Sequence, residues 1–354
     1  VKSMLPTLKQ NEMYLKAIET PKHLERALNQ LEIQGMVEGE VDNIVIAGMG
    51  GSGVIGNIIL DWLEDSSPIP IITWKNYGLP AWADTKTYVL AISYSGNTEE
   101  VISAVAEALK RKCKLTLITS NGILENLASS RKIPIIRIPK GYQPREALPY
   151  LLTAAIIALD NLEIIGNWRE EMQKTIETLK RMKEELENKP EIARQIAEKI
   201  KDHQAIIYAY KPLRGAALRF KQQLNENGKS WAKVEIIPEA GHNEIVGWRA
   251  EKNSLTNLKA IFIRDVFESK MMNARISAFK EEIERAGVEA IDIKARGREV
   301  LSRIMSVIYL CDLTSIYLAL IKGVDPSNIE PIKNLKEKIK STGYLQELMK
   351  QLEY

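Results

Sequence analysis

Residues 43–63 read NIVIAGMGGSGVIGNIILDWL, and residues 87–100 read TYVLAISYSGNTEE. Each stretch is a short apolar run, then a turn of glycines and hydroxyl residues, then a run with helical spacing. An apolar run of this length bounded by turn residues predicts a strand buried on both faces, as in a parallel sheet. Working outward, strands are expected at 43–47, 68–73, 87–93, 114–120 and 133–139, with helices at 54–63, 99–110 and 147–160. Residues 1–40 read mainly as helix, with Leu24, Ala27, Leu28 and Leu31 at helical spacing.

A second series begins after a charge-rich stretch at 168–200, which reads as a solvent-washed pair of connecting helices. Strands are expected at 204–210, 234–239, 258–265 and 288–295, and helices at 216–226, 271–286 and 300–322. Strands alternating with helices predict parallel sheets flanked by helices on both faces. The expected division is 1–165, a helical connector at 166–200, and 201–354. The opening strand–turn–helix units of the two halves match in pattern, which suggests an internal duplication.

The chain has 354 residues, enough for two domains at roughly 150 residues each. The 49 Lys and Arg nearly balance the 46 Asp and Glu, and no basic block marks a nucleic-acid partner. No apolar run is expected to approach the ~20 residues that span a bilayer, and the first residues lack the apolar core of a signal peptide. A cytoplasmic location is the resulting expectation, with no membrane partner. Cys113 and Cys311 have no CxxC spacing and read as small core residues. The three histidines, His23, His203 and His242, share no ligand spacing, which weighs against a histidine-built metal site. No metal or other cofactor is expected.

Gly48, Gly50 and Gly53 form a GxGxxG directly after a strand. The dinucleotide fingerprint also needs an acidic residue at the end of the second strand, where this chain has ITWKNY. A P-loop is excluded by the missing GKS or GKT. The remaining readings are a tight packing turn, or an anion cradle in which Gly50, Gly51 and Ser52 offer N–H groups and a hydroxyl at a helix N-terminus. In the second loop, Thr98 reads as an N-cap, which leaves Ser93 and Ser95 unexplained. A hydroxyl-lined helix start with no lysine nearby suits a phosphomonoester. Two such loops at neighbouring strand ends match the ligand crevice of open α/β sheets.

The pair GMGGSG (48–53) and SYSGNTEE (93–100) resembles the sugar isomerase, or SIS, domain. With PREALPY (144–150), NENGK (225–229), PEAGHNEIVGW (238–248) and GVDP (323–326), nearly the whole chain resembles the archaeal-type bifunctional phosphoglucose/phosphomannose isomerases. The resemblance implies an α/β fold of two SIS-type doubly wound domains and a homodimer with shared active sites. It also implies a cofactor-independent interconversion of glucose 6-phosphate and mannose 6-phosphate with fructose 6-phosphate. By the same resemblance, Ser52, Ser93, Ser95 and Thr98 hold the phosphate, Glu226 is the base, His242 opens the ring, and Arg145 stabilises the intermediate. Thr314 or Ser315, with Lys322, are implied to line the site from the last long helix.

These residue types suit the chemistry. One carboxylate can move a proton between C1 and C2 through a cis-enediol. A histidine shuttles protons near neutral pH during ring opening. A fixed guanidinium favours the enediolate as its charge develops. Three rivals stand beside this reading. A non-enzymatic sugar-phosphate sensor would keep the hydroxyl loop without needing Glu226 or His242. An NAD-linked enzyme would need the missing acidic residue. Another SIS isomerase or aminosugar-phosphate enzyme would share the phosphate loops.

Overall fold

The computed structural model describes Leu8 and residues 10–353. It divides into two compact units, one of residues 22–168 and 329–354, the other of residues 1–21 and 169–328.

The unit of 22–168 and 329–354 is built on a six-stranded sheet. Its strands are β1 (Ile33–Gln34), β2 (Asn43–Gly48), β3 (Ile71–Trp74), β4 (Thr87–Ile92), β5 (Lys114–Thr119) and β6 (Ile135–Arg137), in the order β1-β6-β5-β4-β2-β3. Every pairing is parallel except the antiparallel edge β1–β6. Successive side chains alternate between faces. Val45, Ala47, Val89, Ala91, Leu115 and Leu117 thus form one buried layer with Val101, Ile102 and Val105 of helix Glu99–Lys110. The helices Gly50–Leu63 and Leu148–Asp160 are buried almost throughout. Gly56 lets the first of them lie close on the sheet, because a Cβ there would stand 3.0 Å from Thr73 Cγ2. The C-terminal helix Tyr344–Glu353 adds Leu348 and Leu352 to the same core, and Tyr344 Oη lies 3.2 Å from Ser103 Oγ.

The other unit has a four-stranded, wholly parallel sheet. Its strands are β7 (Gln204–Ala209), β8 (Ala232–Ile236), β9 (Leu258–Arg264) and β10 (Ala290–Lys294), in the order β10-β9-β7-β8. Tyr208 and Phe262 stack at 4.9 Å and pack with Phe279 over one face. In chain order, β2 to β5 occupy within their four neighbouring strands the places that β7 to β10 occupy: third, fourth, second, first. This shared strand order supports the duplication that the sequence pattern suggests.

Three expectations need correction. The stretch 168–200 is not a solvent-washed connector. Helix Trp168–Asn188 buries Met172, Ile176, Leu179 and Met182, spaced as one helical stripe, and Glu191–Ile200 buries Ala193, Ala197 and Ile200. Both therefore belong to the unit of the second sheet, and the division departs from cuts at 165 and 200. Residues 329–354 complete the core of the first sheet, not the second. Finally, helix Val300–Ile321 is long and apolar enough to cross a membrane by length and composition, contrary to the expectation of no such run. Here 83% of its most apolar window is buried within the protein, as for a core helix. Cys311 on that helix is fully buried, as expected, and Cys113 is half-buried.

Glu289 sits between Lys199 (2.7 Å) and Lys259 (2.8 Å), whose hydrogen bonds hold its carboxyl at about 2. A depressed carboxyl stabilises the fold above its unfolded value near 4.5, and this is lost as pH falls towards 2. The side chains are partly exposed, so Glu289→Gln should cost no more than about 1 kcal/mol at pH 6. In denaturant titrations the difference from the parent should shrink towards zero near pH 2.5. An equal difference at both pH values would contradict this assignment.

Candidate active site

The first candidate loop follows β2. Met49 is the N-cap of helix Gly50–Leu63 and makes no side-chain cap, and Gly50 takes φ +53. The N–H groups of Ser52 and Gly53 bond back to Met49 O. Gly51 packs against the buried Arg145: a Cβ there would lie 3.0 Å from Arg145 N and Cα. Backbone therefore replaces side chain at the point where the loop meets the segment carrying the guanidinium.

The second loop follows β4, the neighbour of β2. Thr98 is the N-cap of helix Glu99–Lys110, yet its hydroxyl makes no cap bond. It lies instead 2.8 Å from Ser93 Oγ. Two hydroxyls have two protons, and one is used within the pair, so one proton remains for an outside acceptor. The helix start keeps its N–H groups, whose partial positive charge favours an anion. Ser95 Oγ accepts from Asn97 N–H at 3.3 Å, and Ser52 Oγ accepts from Tyr94 N–H at 3.2 Å, joining the two loops. Ser52 and Ser93 are buried, and Ser95 and Thr98 are half-buried.

Tyr94 carries the coupling onward. Burial holds its phenol above the ordinary value, so it remains a donor. It donates to Pro139 O at 3.1 Å and accepts from Tyr142 N–H at 2.9 Å. Gln143 N–H then bonds to Glu146 Oε2 at 2.8 Å, fixing the turn around Arg145. Beneath this turn, buried His23 packs against Tyr142 (5.6 Å) and Tyr150 (5.8 Å). Its place at one edge of a helix gave no hint of this aromatic setting.

In the other unit, Glu226 is the last residue of helix Arg214–Glu226 and is half-buried. The turn after it is held on every side. Asn227 and Gly228 N–H reach back to Gln223 O, and Lys229 Nζ bonds to Glu226 O at 2.5 Å. Lys322 Nζ bonds to Lys229 O (3.0 Å) and Ser230 Oγ (2.7 Å), and burial pushes its ammonium below the ordinary value. Lys322 is thus tied to the turn that presents Glu226. His242 is exposed at the end of the short 3-10 turn Glu239–His242, beyond β8. The segment is anchored on both flanks: Tyr208 Oη donates to Glu244, Trp248 Nε1 donates to Tyr208 Oη at 3.0 Å, and Asn243 Nδ2 donates to Glu239 Oε1 at 2.8 Å.

The bifunctional phosphoglucose/phosphomannose isomerase of Aquifex aeolicus is 35% identical to this chain over 91% of this chain and 98% of its own length. The chain belongs to the bifunctional phosphoglucose/phosphomannose isomerase family. The family model for the bacterial phosphoglucose isomerase C-terminal SIS domain matches residues 189–339. A D-glucosamine-6-phosphate 4-epimerase of Sulfolobus acidocaldarius is 30% identical over 84% of this chain and 89% of its own. In fold, the chain is similar to the C-terminal domain of a Francisella tularensis glucosamine-fructose-6-phosphate aminotransferase. That match has a TM-score of 0.66 at 15% identity and covers 89% and 98% of the two chains.

Within this family framework, the structure gathers Gly50, Gly51, Ser52, Ser93, Ser95, Thr98 and Arg145 in one unit. Glu226 precedes the turn that Lys322 bonds to in the other unit, where His242 also lies. Two expected residues are placed otherwise. Thr314 and Ser315 are fully buried, with Thr314 Oγ1 on Leu310 O (2.8 Å) and Ser315 Oγ on Asp312 O (2.6 Å). Both hydroxyls are thus engaged with the backbone of their own helix. A lysine does lie beside the first loop. Lys75, at the end of β3, brings its Cε within 3.6 Å of the Cβ position of Gly53 and donates to Asn57 Oδ1 at 2.5 Å. The neighbourhood of Lys75 and Gly53 depends on β3 pairing with β2, which their separation in sequence hides. Among the described residues, no three His, Cys, Asp or Glu side chains form a metal ligand set.

Proposed function

We propose that this chain interconverts glucose 6-phosphate and mannose 6-phosphate with fructose 6-phosphate through a cis-enediol. The observation that carries the reading is family membership at 35% identity over nearly the whole chain. The hydroxyls of Ser52, Ser93, Ser95 and Thr98, with the N–H groups at Gly50 and Gly51, take the phosphate. His242 moves a proton between ring oxygen and the C1 hydroxyl. Glu226 removes the proton from C2 of the aldose and returns it to C1, while the hydroxyl proton passes from O2 to O1, giving the ketose. Because C2 is flat in the enediol, both aldoses reach the same intermediate. Arg145 stabilises its negative charge, and Lys322 holds the turn of Glu226. The reaction needs no metal or redox cofactor. The enzyme works in the cytoplasm as a homodimer with shared active sites, a role consistent with exposed His242 and the neighbouring exposed Val246.

The test is fructose 6-phosphate formation from each hexose 6-phosphate, with and without chelator, with glucosamine 6-phosphate as the comparison substrate. Turnover of both hexose phosphates unaffected by chelator is expected. No activity on either, or activity lost to chelator and restored by metal, would overturn the mechanism.

A further inference from the structure

One face of helix Val300–Ile321 and its C-cap Lys322 meets the end of helix Arg214–Glu226 through a continuous polar seam. Asp312, Ser315, Leu318 and Lys322 recur at helical spacing and so share that face. Asp312 takes the Nε (3.1 Å) and Nη2 (2.8 Å) of Arg219, which is buried. Ser315 Oγ accepts from Asn227 Nδ2 at 2.9 Å and donates to Asp312 O at 2.6 Å. Both Asn227 and Ser315 are fully buried. Leu318 presses on the backbone of Gly228, where a Cβ would come within 2.7 Å of Leu318 Cδ2. Lys322 completes the seam on Lys229 O and Ser230 Oγ.

Apolar side chains would pack two helices at least as well as buried polar ones, and an ion pair taken out of water is not a strong source of stability. What directional bonds add is one fixed register. Here they fix the residue immediately after Glu226, at a helix end where the last carbonyls lack helical partners and the chain would otherwise fray. A carboxylate that serves two adjacent carbons must be placed to a fraction of an ångström.

We infer that Asn227 and Ser315 are positioning residues for Glu226, acting through their hydrogen bond. This rests on Glu226 being the base. The experiment measures kcat, KM, the pH profile of kcat and the melting temperature of full-length Ser315→Ala, Asn227→Ala and the double variant. Each single variant should lower kcat about 10- to 100-fold, the range expected when a catalytic group is misplaced by an ångström. KM should stay within about threefold and the acidic limb of the pH profile should move. The double variant should lose no more than the worse single one, because both break the same bond. Wild-type kcat in Ser315→Ala, or losses that multiply in the double variant, would overturn the inference. Ser315→Ala removes one oxygen and decides the matter even if Asn227→Ala fails to fold. Glu226→Gln separates the two readings: normal turnover there defeats the base itself, whereas an inactive Glu226→Gln beside a fully active Ser315→Ala defeats only the positioning role.

Discussion

Glu226→Gln should lower kcat roughly 10³-fold, within the range for loss of a positioned general base. Binding of hexose 6-phosphate should change little, because the hydroxyls proposed to hold the phosphate belong to other loops. Glutamine keeps the size of the side chain and removes its charge. Stability should not suffer. A carboxylate at the last position of a helix faces the negative end of the helix dipole, so neutralising it should leave the melting temperature unchanged or slightly higher. Activity and stability should therefore move in opposite directions, as expected where a catalytic group sits at some structural cost. Steady-state kinetics, ligand titration and a thermal melt on one preparation check all three. Near-normal turnover would remove Glu226 from the mechanism.

The second large effect concerns Gly96. It takes φ +67, and a Cβ there would lie 1.8 Å from Asn121 O. The carbonyl cannot readily retreat, since Thr119 Oγ1 donates to it at 2.8 Å and helix Gly122–Arg131 starts beside it. From the other side, Gly122 meets Ser95 O, so the two loops touch backbone to backbone. Gly96→Ala should cost roughly 2–5 kcal/mol, about 1–2 from the left-handed conformation and the rest from overpacking. Where the variant remains folded, KM for hexose 6-phosphate should rise at least about tenfold, because Ser93, Ser95 and Thr98 are aligned by this contact. Gly78→Ala is the control. Gly78 has φ +62 with nothing within 4 Å of its Cβ position, so only the conformational part should appear, about 1–2 kcal/mol. Equal losses in the two variants would show that the close approach to Asn121 is unimportant.

Much of this was legible from residues alone where a local pattern carries a physical requirement. β2 and β4 are buried on both faces and therefore read as unbroken apolar runs. The hydroxyls of Ser93 and Ser95 stood out because a single N-cap explains one hydroxyl, not three. What escaped was non-local. Helix Gly122–Arg131 has almost no amphipathic pattern, since its position depends on contacts with the 94–97 loop. The charged surface of helix Trp168–Asn188 masked its buried stripe. Thr314 and Ser315 could not be told from cleft residues, because nothing local says which face of an almost wholly apolar helix meets Asn227. Lys75 is distant in sequence from Gly53 and reaches it through the pairing of β2 with β3.

The division of the chain has a consequence for biosynthesis. The core of the unit holding the hydroxyl loops needs Leu348 and Leu352, and the other unit joins residues 1–21 to 169–328. In that second unit Tyr309 Oη bonds back to Ile18 O. Neither unit is one contiguous segment, and the unit holding the hydroxyl loops cannot be finished until Leu348 and Leu352 have been made. The emerging polypeptide must wait with helix Glu99–Lys110 lacking one apolar partner until helix Tyr344–Glu353 is released. During that interval the apolar surface that Leu348 and Leu352 cover is open to wrong association, and a chaperone that recognises apolar segments would find its target there.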